Sequence, residues 1–281
     1  MEIGNSERIT QIIGFIGGGN MAKAIFDGIV SKKLVDTNQV FVSGPRIERL
    51  SYFKDQGVHI AENNQSLIKS CDVIFICVKP HVLETIACQI NSPSIDDWHN
   101  KVFVSVLAAT SLEKIQSCFV MPMKLIRVMP NTPLAVGEGC CVFTPKPNVE
   151  AKHINLVRSL LESSGLCLQV PENQINAIAA VSGSGPAFMY TIIEAMADGG
   201  VKMGIPRADA VKLAAQTMLG AAKMVLQSGK HSAQLKDEVC SAGGTTIAGI
   251  HALERGGVRS AMMDAVEAST KRAIEMECSH K

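Results

Sequence analysis

Residues 240–246, Cys-Ser-Ala-Gly-Gly-Thr-Thr, form a polar, glycine-rich stretch that runs into a helical pattern. Such a stretch makes a helix N-terminus whose backbone N–H groups lack helical partners, a site suited to a carboxylate. Gly243 and Gly244 allow close backbone approach. Thr245 and Thr246 offer N–H and hydroxyl groups to a carboxylate and a neighbouring nitrogen. The competing reading is a capped helix start with no ligand. Far upstream, residues 14–22 read Gly-Phe-Ile-Gly-Gly-Gly-Asn-Met-Ala. They follow an apolar β-branched run and open a helical pattern, the context a dinucleotide loop requires. Gly17 lets the chain turn off the strand, Gly19 lets the backbone approach a pyrophosphate, and Ala22 keeps helix and strand close. Together the two stretches suggest a nicotinamide enzyme acting on a small acid.

Charge decides between dinucleotides. An NAD site places Asp or Glu about 20 residues past the glycines to hold the ribose 2′-OH. Here that region reads Ser43-Gly44-Pro45-Arg46, with no acid, and Asp36 falls before the second strand as a turn residue. Ser43 and Arg46 suit a 2′-phosphate, so NADPH is favoured and NADH stays possible. Arg46 is otherwise an ordinary solvated cation. Val78-Lys79-Pro80-His81 follows another apolar strand, at the carboxyl end where ligands sit in parallel sheets. Lys79 either faces the cofactor or is solvated, and His81 is either a general acid or, the favoured reading, a surface loop histidine. Residues 129–133, Met-Pro-Asn-Thr-Pro, end a strand in the same way and either line the nicotinamide end or form a rigid turn.

These residues need a frame. Short apolar runs at 9–15, 39–43, 72–78, 101–106, 125–129 and 166–170 read as strands, with helical stretches at 22–30, 66–70 and 150–164 between them. Near-continuous apolar strands are buried on both faces, as in parallel sheets. After Pro171 the pattern turns helical, over 174–181, 187–201, 207–227, 246–254 and 259–276. The segment 181–186, Val-Ser-Gly-Ser-Gly-Pro, interrupts two of these helices. It lacks the Gly of a serine-hydrolase elbow at position 180, and reads as hydroxyls near a ligand or as a helix start with Pro in its first turn. The fold class is α/β: an N-terminal Rossmann-type doubly wound sheet over 1–170, then an all-α dimerisation domain over 171–281. Helices this apolar all round suggest burial against a second chain.

Composition narrows the class. The chain has 281 residues and a formal net charge of +1, so no basic field points to nucleic acid or an anionic membrane surface. No apolar run approaches the roughly 20 residues of a membrane span. The N-terminus lacks the look of a signal or transit peptide. Nine cysteines without CxxC spacing read as reduced thiols in a cytoplasmic protein. Seven histidines without HxxxH or HxH spacing give no expectation of a metal.

The chain resembles the pyrroline-5-carboxylate reductases, the last enzymes of proline synthesis. The resemblance lies in residues 14–22, in Val78-Lys79-Pro80, Asn131-Thr132-Pro133 and Ser182-Gly183-Ser184-Gly185-Pro186-Ala187, and in residues 198–204 and 235–246. It covers nearly the whole chain in order, and generic Rossmann enzymes do not carry the helical-half motifs. It implies NAD(P)H-dependent reduction of 1-pyrroline-5-carboxylate to L-proline. It implies a homodimer of interlocked C-terminal helices, often assembled as a pentamer of dimers, with the active site at the dimer interface. Carried over, the cofactor-binding positions are Ile16, Gly17, Gly18, Gly19, Asn20, Met21, Ser43, Gly44, Arg46, Asn64, Cys77, Val78, Lys79, Pro80 and Ala108. The substrate-binding positions are Glu172, Ser182, Gly243, Gly244, Thr245 and Thr246, with Thr246 the catalytic position near the ring nitrogen.

The chain also departs from the family pattern. Glu238 stands where animal relatives often have Asn, and Ala242 replaces a common proline. Ser43-Gly44-Pro45-Arg46 differs from the Asn-Arg type of many bacterial members, and Leu107-Ala108-Ala109-Thr110 only partly matches the loop near the nicotinamide. One rival is a β-hydroxyacid dehydrogenase, but Lys202, Lys212 and Lys223 are not followed by Asn four residues on. Others are a reductase of another small cyclic imine or hydroxy acid, and a non-catalytic NADP-binding regulator, which would not need the intact glycine-threonine segment.

Overall fold

The computed structural model describes residues 8–91 and 98–279. Its strands are β1 (Ile13–Ile16), β2 (Val40–Ser43), β3 (His59–Ile60), β4 (Val73–Ile76), β5 (Val102–Ser105), β6 (Lys124–Met129), β7 (Gly139–Pro145) and β8 (Gly165–Gln169). Its helices are α1 (Asn20–Ser31), α2 (Ser51–Asp55), α3 (Asn64–Ser70), α4 (Leu83–Ile90), α5 (Leu112–Ser117), α6 (Ala151–Glu162), α7 (Ile175–Ile178), α8 (Gly185–Lys202), α9 (Arg207–Ser228), α10 (Ser232–Val239), α11 (Thr245–Arg255) and α12 (Val258–Ser279).

The chain forms two compact units, Met1–Gly183 with Ser269–Lys281, and Ser184–Ala268. The first holds one eight-stranded sheet in the order β3-β2-β1-β4-β5-β6-β7-β8. β1 lies parallel to both β2 and β4, with Ile13 opposite Val40 and Val73. The strand order reverses at this β1/β4 seam, where doubly wound folds bind dinucleotides. The parallel run extends through β6. β7 then returns antiparallel, Val128 facing Phe143, and β8 lies parallel to β7.

Side chains alternate across a pleat, so a strand buried on both faces must be apolar throughout. On one face Ile13, Phe15, Val73, Phe75, Val102 and Val104 pack with Ile25, Phe26 and Ile29 of α1 and Val157, Leu160 and Leu161 of α6. On the other, Ile16, Ile74, Ile76, Phe103 and Leu125 pack with α3, α4 and α5 through Leu67, Ile68, Ile86, Ile90 and Ile115. Each fully buried side chain of this size contributes about 1.5–3 kcal/mol. The doubly wound sheet expected from the sequence is thus present, with an antiparallel edge added.

The second unit is helical and nearly coreless. Its buried cluster is Ala197, Ala210 and Ala214, with Ile193 and Val201 beside it. Tyr190, Met203, Leu213, Met224, Leu226, Leu253 and Met263 are exposed. Among the described residues no helix is long and apolar enough to cross a membrane.

Candidate functional site

The first strand ends at Ile16 and the chain turns sharply at Gly17, whose φ is +96°. A Cβ there would lie 2.7 Å from the Cys77 carbonyl oxygen, so only glycine fits. The Gly17 N–H donates to the Ser43 carbonyl at 2.9 Å, locking the loop to the end of β2. Gly18 packs under Leu50, where a Cβ would meet Cδ2 at 2.3 Å. Gly19 caps α1 without a side-chain bond, and nothing lies within 4 Å of where its Cβ would stand. The first turn of α1, with Asn20 and Met21, therefore presents backbone N–H groups into open space, as a pyrophosphate requires.

Beside this loop lies a cavity of about 800 Å³, walled by Ile16, Gly17, Ser43, Gly44, Asn64 and Val78 together with Thr85, Cys88 and Gln89 of α4. Ser43 is buried at the end of β2 and its hydroxyl donates to Asn64 Oδ1 at 2.6 Å. Asn64 in turn donates to Gln89 at 2.7 Å. Arg46 is exposed, and among the described residues no ion pair occupies its guanidinium. Pro80 opens a short 3₁₀ turn, and Lys79 before it is exposed. Burial pushes the Cys77 thiol up, so it stays protonated. Ala108 is exposed in the loop after β5, next to Ala109, whose φ of +48° is a left-handed conformation unusual for a residue with a Cβ. The α4 contribution to this wall lay outside the sequence expectation. α4 has eight residues, too few for its period to stand out.

Glu172 lies in a hydrogen-bonded network of the first unit. Its Oε1 accepts from Arg127 at 3.0 Å and from the Leu112 N–H at the start of α5 at 2.7 Å. Arg127, on β6, also donates to Glu277 at 3.0 Å, and Asn176 donates to the other Glu277 oxygen. No local signal marks this network, whose partners stand 45 and 150 positions from Arg127.

Ser182 lies in a π-helical turn, Ala179–Gly183, directly after α7. Its hydroxyl donates to the Ile178 carbonyl at 3.0 Å. Such wide turns are frequent at functional positions. Burial raises the nearby Cys140 thiol, while a bond to Ser182 opposes that shift.

The glycine-threonine segment belongs to the second unit. Gly243 has φ +67°, Gly244 caps α11, and no side chain caps that helix start. Thr245 is exposed and Thr246 half-buried in the first turn. Glu238, the departure on α10, is held by Lys230 at 2.8 Å, which pulls its carboxyl below the ordinary range.

A switch-point cavity beside a glycine loop, joined in one chain to a helical unit with an open helix start, defines a dinucleotide-dependent oxidoreductase of the Rossmann class. Comparison with known proteins narrows it further. Residues 172–276 match the family described as Pyrroline-5-carboxylate reductase dimerisation, and residues 12–109 match NADP oxidoreductase coenzyme F420-dependent. Pyrroline-5-carboxylate reductase 3 of Xenopus laevis is 41% identical over 96% of this chain and 98% of its own length. The pyrroline-5-carboxylate reductase of Coxiella burnetii superposes with a TM-score of 0.88 at 33% identity, over 95% of this chain and 99% of that one. The Plasmodium falciparum pyrroline carboxylate reductase, solved with NADP bound, gives 0.86 at 30% identity, over 96% and 99%. The chain belongs to the pyrroline-5-carboxylate reductase family.

Proposed function

We propose that this chain reduces 1-pyrroline-5-carboxylate to L-proline with NADPH, NADH being the poorer donor. The observation that carries this reading is the start of α11, where Gly243 and Gly244 lead into Thr245 and Thr246 with no side-chain cap. Its backbone N–H groups suit the substrate carboxylate, and the Thr246 hydroxyl suits the ring nitrogen, making Thr246 the catalytic position. The open space at Gly19 and the cavity beside it fit a dinucleotide. Ile16, Gly17, Gly18, Gly19, Asn20 and Met21 would hold its pyrophosphate, and Ser43, Gly44, Asn64 and Arg46 its adenosine end. Cys77, Val78, Lys79, Pro80 and Ala108 would flank the rest. When bound, NADPH supplies the hydride. A cyclic imine is protonated in solution, so the protein needs to orient its iminium and exclude water rather than provide a strong acid. Ser182 and Glu172 complete the substrate set, Glu172 through a carboxylate shared with Arg127.

The exposed apolar side chains of the second unit suit a homodimer, with a pentamer of dimers as the larger assembly. Residues 1–170 would form the nucleotide domain and 171–281 the dimerisation and substrate domain, whose two ends, 171–183 and Ser269–Lys281, fall in the first compact unit. Nine free thiols suit a cytoplasmic protein. Replacing Thr246 by Ala should lower kcat/KM for 1-pyrroline-5-carboxylate roughly 10–1000-fold, the effect of losing one or two bonds to a charged group. A fully active T246A enzyme would remove Thr246 from the mechanism.

A further inference from the structure

Asn131 follows β6 by two residues and is buried, 8% exposed. It occupies the N-cap position of the 3₁₀ turn Thr132–Val136, yet its side chain does not cap that turn. Its Nδ2 donates instead to the Ser182 carbonyl at 3.0 Å, and its Oδ1 accepts from the Cys140 N–H at 2.8 Å. One amide thus ties the end of β6, the start of β7 and the turn Ala179–Gly183.

The Ser182 carbonyl needs this donor for a reason written in the chain. In a regular helix it would accept from the N–H four residues on, and that residue is Pro186, which has none. The Ala187 N–H is spent on the Ser184 carbonyl at 3.0 Å. A carbonyl left without a donor would draw the turn out of shape, because unpaired backbone groups are costly when buried.

We propose that Asn131 is the positioning residue of the substrate site, holding Ser182 through its main-chain carbonyl so that substrate affinity depends on an amide that touches no substrate. The inference rests on the reading of Ser182 as substrate-binding. Asn131→Asp keeps the shape and the acceptor for Cys140, and loses the donor to Ser182 only while ionised. Protonation restores that donor, and burial beside a carbonyl raises the carboxyl pKa. Asn131→Ala loses both bonds at every pH.

The test is steady-state kinetics of the full-length wild type, N131D and N131A at about pH 8 and about pH 6, with NADPH affinity measured separately by fluorescence. Variant-to-wild-type ratios at one pH cancel the substrate's own protonation. At the higher pH, N131D should lose roughly 30–300-fold in kcat/KM, mostly as a raised substrate KM, with NADPH affinity within about twofold. At the lower pH its ratio to wild type should recover at least about fivefold, while the N131A ratio stays flat. If N131A does not fold, the pH-dependent ratio of the nearly isosteric N131D decides alone. Parallel pH profiles for the two variants, wild-type kinetics in N131D, or an NADPH affinity that falls with the substrate KM would overturn the inference while wild-type turnover leaves the reductase reading standing. A wild type that does not turn over 1-pyrroline-5-carboxylate would overturn both.

Discussion

Replacing Arg127 by Met removes the cation that pairs two carboxylates, Glu172 and Glu277. The Arg127 side chain is 3% exposed, against 34% for Glu172 and 19% for Glu277. Both pairs are at 3.0 Å on the same Nη1, so the two carboxylate oxygens are at most twice that distance apart. At an effective dielectric of about 20, opposite charges at this separation attract by roughly 5 kcal/mol. The third-exposed Glu172 is partly screened by water, and burying the guanidinium costs several kcal/mol. Losing the cation alone should therefore destabilise the first unit by about 3–5 kcal/mol, a large part of the roughly 5–15 kcal/mol that holds a domain together. Trp98 is the sole tryptophan and is buried in this unit, so its fluorescence during urea unfolding reads the loss directly. Combining R127M with E172Q and E277Q removes the stranded charges and should recover most of the deficit. R127M within about 1 kcal/mol of wild type, or a triple variant no more stable than the single, would refute the claim that Arg127 pairs both acids in the folded chain.

Three further outcomes follow from the same structure. Arg46→Ala should raise the KM for NADPH about tenfold and leave that for NADH unchanged, since a bond to a charged group contributes roughly 1.5–3 kcal/mol; equal effects on both cofactors would show that Arg46 does not read the 2′-phosphate. Leu226→Glu, on an exposed apolar side chain of α9, should lower the mass seen by light scattering and the melting temperature together, and an unchanged mass would clear this face of any role in assembly. Burial raises the Cys71 and Cys167 thiols to about 12 and pushes Cys141 higher still, from an ordinary 9.0. Their folded pKa lies above the unfolded one, so this stability is fully present below about pH 9 and is lost as pH rises; three such groups should cost roughly 4 kcal/mol between pH 8 and 10 in urea unfolding, and a flat profile would place these thiols in water.

What was legible in the sequence followed from period and from glycine chemistry. The apolar runs leading to Ile16, Ser43, Ile76, Ser105 and Met129 appear as strands of one sheet, and the glycines at 17–19 sit where the first of them turns into α1. Local pattern failed where the element is short or its cause is distant. β3 is two residues long, and β7 begins Gly-Cys-Cys and ends in Pro, so neither shows a strand period. α5 has six residues. The helix expected over 174–181 is instead α7 followed by a π-turn; at the end of that turn Pro186 has no N–H for the Ser182 carbonyl, and Asn131 supplies the donor from another strand end. Glu172, a substrate position by resemblance, also accepts from Arg127 and the Leu112 N–H, a pairing no sequence window contains.

The most direct test of the central claim is the absorbance of reduced nicotinamide, followed with the purified chain and NADPH or NADH, with and without 1-pyrroline-5-carboxylate. Rapid oxidation that depends on the imine, with a higher kcat/KM for NADPH, is the expected result. Tight NADPH binding with no imine-dependent oxidation would contradict it.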